Sequence, residues 1–298
     1  MNKTGRIIKQ ISNDYTVELE SELVVCKPRG KFRKMDLSPI VGDYVTIDYD
    51  NKYIIEINKR KNELIRPRIA NVDYAVVITS VQIPEFSSNL LDKLLVNIEF
   101  NNIEPIICFT KMDLVDDIKR EEINNYIDYY RSIGYKVFVN TDESIKEIFK
   151  DKLTVFTGQS GAGKSTLLNR LDSTLKLETN EVSIALGRGK HTTRHTEFIP
   201  VCGGYIADTP GFSSLSFEGM SNGDIRDNFI EFNKYRSDCE YGDCMHDNES
   251  NCEIKRRVAS KDILESRYEN YLNFIKKGYL FIFSLFFCIM KVVIVWIY

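Results

Sequence analysis

The chain reads as a multidomain α/β protein in three parts. These are a small β-barrel of OB-fold type, an α/β domain with a mostly parallel sheet, and a helical C-terminal module that binds a metal. Three observations predict this. The first 66 residues are short β-type runs punctuated by Asp, Asn and Gly. Strand and helix patterns then alternate around the glycine loop GQSGAGKS, residues 158–165. Finally, three cysteines and a histidine cluster inside a polar, helical stretch. At 298 residues the chain can bury a real core, and 43% apolar with 28% charged residues is ordinary for a globular protein. A net charge of −3 does not point to a nucleic-acid binder, but local patches matter more than the total. The start, MNKTGRIIKQISND, is polar and lacks the apolar core of a secretory signal.

Residues 1–66 carry TGRIIKQI, DYTVELES, ELVVCKPRG, DYVTIDYD and KYIIEINKR at about ten-residue spacing. Five short strands suit an OB-like barrel, with another small β domain or an SH3-like barrel as the alternative. The segment NELIRPRIANVDY leads into the second part, residues 67–222. YAVVITS (74–80) and EPIICFT (104–110) are near-continuous apolar strands of the kind buried in parallel sheets. LLDKLLVNIEF (90–100) between them is helical, REEINNYIDYYRSIG is a second helix and YKVFVN a further strand. LTVFTGQSGAGKSTLLNRL reads strand, loop, helix, and GGYIADTPGF is a strand ending in a loop. Residues 223–277 turn polar and helical, with DILESRYENYLNFIKK (262–277) as the last helix.

The glycine loop fits G-x-x-x-x-G-K-[ST] in full: Gly158, Gln159, Ser160, Gly161, Ala162, Gly163, Lys164, Ser165, with Thr166 following. Glycines let backbone N–H groups turn inward around phosphate oxygens, and the helix start adds partial positive charge. Lys164 is placed to reach the β- and γ-phosphates and Ser165 to hold Mg²⁺. Asp208-Thr209-Pro210-Gly211 ends another strand. Alone it is a turn; beside a phosphate loop, Asp208 becomes the second Mg²⁺ carboxylate and the Gly211 N–H a γ-phosphate contact. Between them SIALGRGKHTTRHTEF (183–198) holds two of the three histidines and sits where a GTPase keeps its first switch. Thr192 or Thr193 could serve Mg²⁺ there; a plain surface loop is the alternative.

CFTKMDL (108–114) contains Thr110-Lys111-Met112-Asp113 at the end of an apolar strand. One carboxylate can accept from both guanine N1–H and the N2 amine, which adenine lacks, so Asp113 selects guanine. The Lys111 stem would lie across the base. Thr110 stands where Asn is usual and loses the amide. VFVNTDES could bring Asn140 and Thr141 near the purine. The order is base reader, phosphate loop, switch, DTPG, which is a circular permutation of the ordinary one, and a parallel sheet tolerates that. If TKMD is accidental, the chain is instead an ATP-using P-loop enzyme.

Cys239-x4-Cys244-x-His246-x5-Cys252 puts four good Zn²⁺ ligands in fourteen residues, a closed structural set. Three buried cysteines and a surface histidine are the alternative, disfavoured by the polar flanks. Cys26, Cys108 and Cys202 lie on apolar strands and read as core thiols.

Together these motifs resemble the small ribosomal subunit-dependent GTPases, the RsgA family (also YjeQ or YloQ), over about residues 1–277. The resemblance implies an OB-fold, a circularly permuted P-loop GTPase domain and a zinc domain with one Zn²⁺ per chain. It implies a cytoplasmic, monomeric protein that binds the small ribosomal subunit and its rRNA late in assembly. It also implies GTP hydrolysis to GDP that is slow off the ribosome. The residues after DxxG fit: Phe212 stands where many GTPases keep a water-orienting Gln. His191 is the candidate replacement, with Lys164 and Thr193 as the other catalytic candidates. CKPRGKFRK (26–34) offers Lys27, Arg29, Lys31, Arg33 and Lys34 as rRNA contacts, and IKRRVASK (254–261) a second basic run; solvated charge is the alternative for each. A nucleotide-gated RNA-binding translation factor with little catalysis is the rival function. GYLFIFSLFFCIMKVVIVWIY (278–298) belongs to none of this; it has the length and apolarity of a membrane span, interrupted by Lys291, and reads as a frameshifted or unusual terminus or a helix packed on the body, with a membrane tail anchor as the alternative.

Overall fold

A computed structural model of the chain describes residues 1–34, 37–65, 68–176, 196–207 and 216–276. The expectations for His191, Thr192, Thr193, Asp208, Thr209, Pro210, Gly211, Phe212 and the 278–298 tail therefore lie outside the described residues. Among the described residues no helix is long and apolar enough to cross a membrane.

The five expected barrel strands form as β1 (Asn2–Ile11), β2 (Asp14–Glu18), β3 (Leu23–Pro28), β4 (Tyr44–Asp48) and β5 (Tyr53–Ile57), with a short helix α1 (Lys31–Lys34) after β3. Strict alternation buries Tyr15 and Val17, Val24 and Cys26, and Val45 and Ile47 on one face. The strands pair β1–β2–β3–β5–β4, and β4 returns to β1 (Asn2↔Asp48 through Arg6↔Tyr44), so the barrel closes. A hairpin that the sequence did not announce follows, β6 (Glu63–Ile65) with β7 (Arg68–Ala70). Its strands are too short for a period-two pattern to show.

The second sheet contains β8 (Tyr74–Ser80), β9 (Glu104–Thr110), β10 (Lys136–Val139), β11 (Leu153–Gly158), β12 (Thr196–Val201) and β13 (Gly204–Ala207). Its order is β10-β9-β8-β11-β13-β12, parallel except for β12. The near-continuous burial of β8, β9 and β11 is that of strands covered on both faces. Two expectations are corrected here. Residues 196–198, expected at the end of the switch loop, begin β12: Thr196 and Glu197 pair with β1 and Phe198 with Ala207 of β13, and this pairing outweighs the polar pattern. Cys202 is not on a strand; it is half-buried in the turn after β12, with φ 48°. Cys26 and Cys108 are buried on strands as expected.

The helices are α2 (Ser88–Phe100), α3 (Asp117–Ser132), α4 (Lys164–Leu171), α5 (Asn222–Asp227), α6 (Ile230–Tyr235), α7 (Glu253–Ala259) and α8 over residues 265–276. Two compact units result. The first takes Met1–Phe86, Asn101–Ile127 and the described residues of Tyr135–Ser214; the second takes Ser87–Phe100, Asp128–Gly134 and the described residues of Leu215–Tyr298. In the first, Val76, Ile78, Ile106, Phe149, Phe156 and Leu168 pack one core. In the second, Val96 of α2 packs with Phe229, Phe232, Ile263, Tyr271 and Phe274.

The second unit also holds a buried charge network. Arg267 and Asp92 have no exposed side-chain surface, and Glu231 has 2%. Arg267 donates to Asp92 at 2.6 Å and to both Glu231 oxygens at 2.6 and 2.8 Å. Tyr130 and Asn270 also donate to the Asp92 carboxylate, at 2.5 and 2.7 Å. Burial raises the Asp92 carboxyl above its ordinary range even with Arg267 and these donors opposing it.

Candidate nucleotide site and metal centre

The nucleotide motifs meet because of strand neighbours, not chain order. β8 lies between β9, which ends in the TKMD segment, and β11, which ends in the glycine loop. Ser80 pairs with Thr110 on one side and Ile78 with Gly158 on the other. Both loops thus leave the carboxyl edge of the parallel sheet side by side, where open α/β sheets bind ligands.

Gly158 is required by its surroundings: φ is +139°, and a Cβ there would stand 2.1 Å from the Ile78 carbonyl oxygen. Gly163 has φ +98° and caps α4, so the helix opens directly behind the loop. Ala162 is buried, Gln159, Lys164 and Ser165 are half-buried, and Ser160, Gly161 and Thr166 are exposed. The start of α4 lies at the end of the loop, where a helix N-terminus adds partial positive charge.

Thr110 is 2% exposed, and its hydroxyl donates to the Ala162 carbonyl at 2.5 Å. Lys111 is in the left-handed region (φ 63°) and starts a short 3₁₀ turn, Met112–Leu114. Its ammonium donates to the Gly161 carbonyl at 2.8 Å and to the Ile83 carbonyl. Met112 is half-buried and Asp113 exposed at the rim. Two side chains of the TKMD segment therefore tether a loop some fifty residues downstream. Asn140 lies beside the end of β9, with its N–H on the Phe109 carbonyl at 2.8 Å, and Asp142 fixes the turn by accepting from Val139 N–H at 2.8 Å. The carbonyl acceptors at Gly161, Ala162 and Ile83 carry no side-chain signal, so sequence could not have named these tethers.

On the barrel, Lys27 is exposed on β3, opposite Tyr53 in register. The Arg29 guanidinium reaches Asp48 at 3.5 Å, and Lys31 lies 5.3 Å from the Phe32 ring. Arg33 and Lys34 belong to α1. The other basic run is largely neutralised locally. Arg256 and Arg257 pair with Glu253 at 2.7 and 2.9 Å, Arg257 also with Asp262 at 3.0 Å, and Lys255 donates to the Glu249 carbonyl.

In the second unit Cys239, Cys244, His246 and Cys252 converge, with all four ligand atoms within 4.8 Å of one another. His246 Nδ1 is 3.3 Å from Cys252 Sγ and 3.7 Å from Cys239 Sγ. A tetrahedral ion with metal–sulfur bonds of ~2.3 Å and metal–nitrogen bonds of ~2.0 Å implies ligand edges of about 3.5 Å, so the donor set fits a metal. Side chains hold the loop in place. Glu249 accepts from the Met245 and Asp247 N–H groups at 2.7 and 2.9 Å. Tyr268 donates to the His246 carbonyl at 2.6 Å, and Tyr271 to that of Met245. Burial holds the His246 imidazole down to about 4 and pushes the Cys244 thiol up to about 12. A bound cation would deprotonate the thiols of the cluster.

Comparison with known proteins agrees with this geometry. The RsgA GTPase family model matches residues 57–218, and the RsgA N-terminal domain model matches residues 4–54. A small ribosomal subunit biogenesis GTPase RsgA 1 from Listeria monocytogenes serotype 4b (strain F2365) is 47% identical over 280 residues, covering 92% of this chain and 96% of that protein. The corresponding RsgA of Enterococcus faecalis (strain ATCC 700802 / V583) is 47% identical over 278 residues, covering 91% and 94%. Among solved structures, YloQ, a circularly permuted GTPase, superposes with TM-score 0.80 at 40% identity, covering 93% of this chain and 95% of that one. YjeQ from Thermotoga maritima gives 0.80 at 33% identity, covering 93% and 98%. The permuted order of the nucleotide motifs agrees with the circularly permuted GTPase that superposes on the chain, both family models match, and the chain belongs to the RsgA GTPase family.

Proposed function

We propose that this chain is a GTPase that binds the small ribosomal subunit and assists its late maturation, hydrolysing GTP to GDP and phosphate with subunit-stimulated turnover. One observation carries the guanine-nucleotide reading: Thr110 and Lys111 are bonded to the phosphate loop although the chain meets them in permuted order. Lys111 and Asp113 hold the base, with Thr110 and Met112 shaping that loop. Gly158 through Thr166 cradle the phosphates, Lys164 neutralising the β- and γ-oxygens. Ser165 and Asp208 would hold Mg²⁺, which supplies charge neutralisation of the phosphates when bound; Gly211 offers its N–H to the γ-phosphate. Thr193 and His191 complete the catalytic set, His191 orienting water in place of the Gln that Phe212 excludes. Cys239, Cys244, His246 and Cys252 hold one structural Zn²⁺. Lys27, Arg29, Lys31, Arg33 and Lys34 meet rRNA. The division of labour follows residues 1–66, 67–222 and 223–277, in a cytoplasmic monomer.

Two measurements test this. Wild type prefers GTP over ATP in equilibrium binding; Asp113→Ala lowers that preference by roughly 10- to 100-fold through loss of charge-assisted hydrogen bonds. A preference unchanged in Asp113→Ala removes the guanine assignment. GTP turnover rises on adding small subunits, and His191→Ala keeps GTP affinity while losing most of that rise, about 10²-fold or more for a general acid–base or water-orienting group. Full stimulation in His191→Ala removes that residue from the mechanism.

A further inference from the structure

The barrel is tied to the nucleotide-binding sheet on one side by the β6–β7 segment, through Val41–Ile69 and Asn71–Gly42, and on the other by a narrow strand pairing. β11, which ends in Gly158, pairs with β13 (Leu153↔Tyr205 to Val155↔Ala207). β13 pairs with β12, and the outer edge of β12 pairs with β1 of the barrel at Lys9↔Glu197 and Gln10↔Thr196. Among the described residues this two-pair contact is the barrel's one strand pairing with that sheet. Two residue pairs are too few to fix an orientation alone.

Side chains fasten the same place. The Tyr205 phenol on β13 donates to the Glu18 carboxylate on β2. Glu18 faces Arg6 across the β1–β2 register. The Arg6 guanidinium lies 5.2 Å from the Tyr44 ring of the barrel and 5.5 Å from the Phe198 ring of β12, and it donates to the Asn71 carbonyl at 3.0 Å. The Phe198 and Tyr205 rings are 5.9 Å apart. Burial, then the Glu18 hydrogen bond, lifts the phenol to about 12, so it remains a donor at neutral pH. In the chain, Ala207 directly precedes Asp208, and Thr196 directly follows the 177–195 segment.

We propose that the β12–β13 hairpin reports nucleotide state to the barrel, and that Arg6, Glu18, Phe198 and Tyr205 form the clamp that makes the barrel follow it. This rests on the reading above that the two segments flanking the hairpin sense the γ-phosphate and that the barrel engages the small subunit. Without the clamp the β12–β13 hairpin holds the barrel by a two-pair strand contact alone, the β6–β7 side staying fastened by the Val41–Ile69 bridge and the Asn71–Gly42 hydrogen bond, and subunit affinity no longer depends on which nucleotide is bound.

The test uses the full chain and purified small subunits. Subunit affinity is measured with a non-hydrolysable GTP analogue and with GDP, for wild type, Tyr205→Phe and Glu18→Gln. Both substitutions remove one polar partner and keep size, and neither touches the nucleotide site, so nucleotide affinity off the ribosome should not change. The expected result is a wild-type GTP-over-GDP ratio that falls by roughly tenfold in each variant. Amide exchange gives a second readout: protection at Lys9, Gln10 and Glu197 differs between nucleotides in wild type and not in Tyr205→Phe. Equal loss of subunit affinity with both nucleotides, or an unchanged ratio with unchanged exchange, overturns the clamp while leaving the GTPase reading intact. No nucleotide dependence in wild type overturns both.

Discussion

The two units solve the problem of holding a site in opposite ways. The nucleotide unit leans on backbone: parallel strands put the loops at one edge, glycines shape them, and Thr110 and Lys111 add side-chain tethers. The C-terminal unit uses side chains: four ligands, two tyrosines, Glu249 and a buried arginine between two carboxylates. A site set by strand neighbours survives a change in chain order, so permutation leaves it whole. A site set by individual side chains has no such tolerance, and single substitutions should damage it most.

The largest effect sharpens that contrast. Chelation, or Cys252→Ser, should remove the structural ion proposed for this cluster; such ions typically bind with an apparent free energy of about 10–16 kcal/mol, most of it folding energy. The C-terminal unit should lose its cooperative melt in calorimetry, while GTP binding persists. Loss of GTP binding in step with the metal would break the comparison.

Next in size is Arg267→Met. Removing one partner from a buried ion network costs about 3–5 kcal/mol because charge is left uncompensated. Adding Asp92→Asn should recover part of this in denaturant melts. The sign with pH follows from the raised Asp92 carboxyl: the stability it contributes is full below the ordinary carboxylate range and is lost as pH rises through the folded value. The Arg267→Met defect should therefore shrink as pH falls. A defect that grows instead would mean the network is not what the arginine supports.

Smallest is Thr110→Val, which keeps shape and leaves the Ala162 carbonyl without its donor, about 1–3 kcal/mol. GTP affinity should fall roughly 5- to 100-fold with no change in melting of the C-terminal unit, and Thr110→Ser should restore most of it. Equal affinity in wild type and Thr110→Val would leave the glycine loop needing no tether.

What the sequence made legible follows the same division. β8 and β9 match Tyr74–Ser80 and Glu104–Thr110 because strands buried on both faces are unbroken apolar runs bounded by polar residues. The glycine loop was legible because its backbone demands particular residues. α2 was visible as a helix, but not as a member of the C-terminal unit: Asp92 in LLDKLLVNIEF looks like a solvated charge until Arg267, 175 residues away, is seen against it. Thr110 looked like a weakened base reader because its value lies in a backbone carbonyl. Cys202 was misplaced because a short turn between two strands has no apolar signature of its own.

The seam between β1 and β12 has one further consequence. An outer strand with unpaired backbone groups is an invitation to another chain. Here the barrel occupies that edge at Glu197 and Thr196, leaving β10 at the opposite end of the sheet, where Lys136 is held by Glu104 at 2.8 Å. The N-terminal barrel thus covers the start of this edge. A GTPase segment cut free of residues 1–57 would expose the backbone groups of Thr196 and Glu197 that β1 pairs in the intact chain.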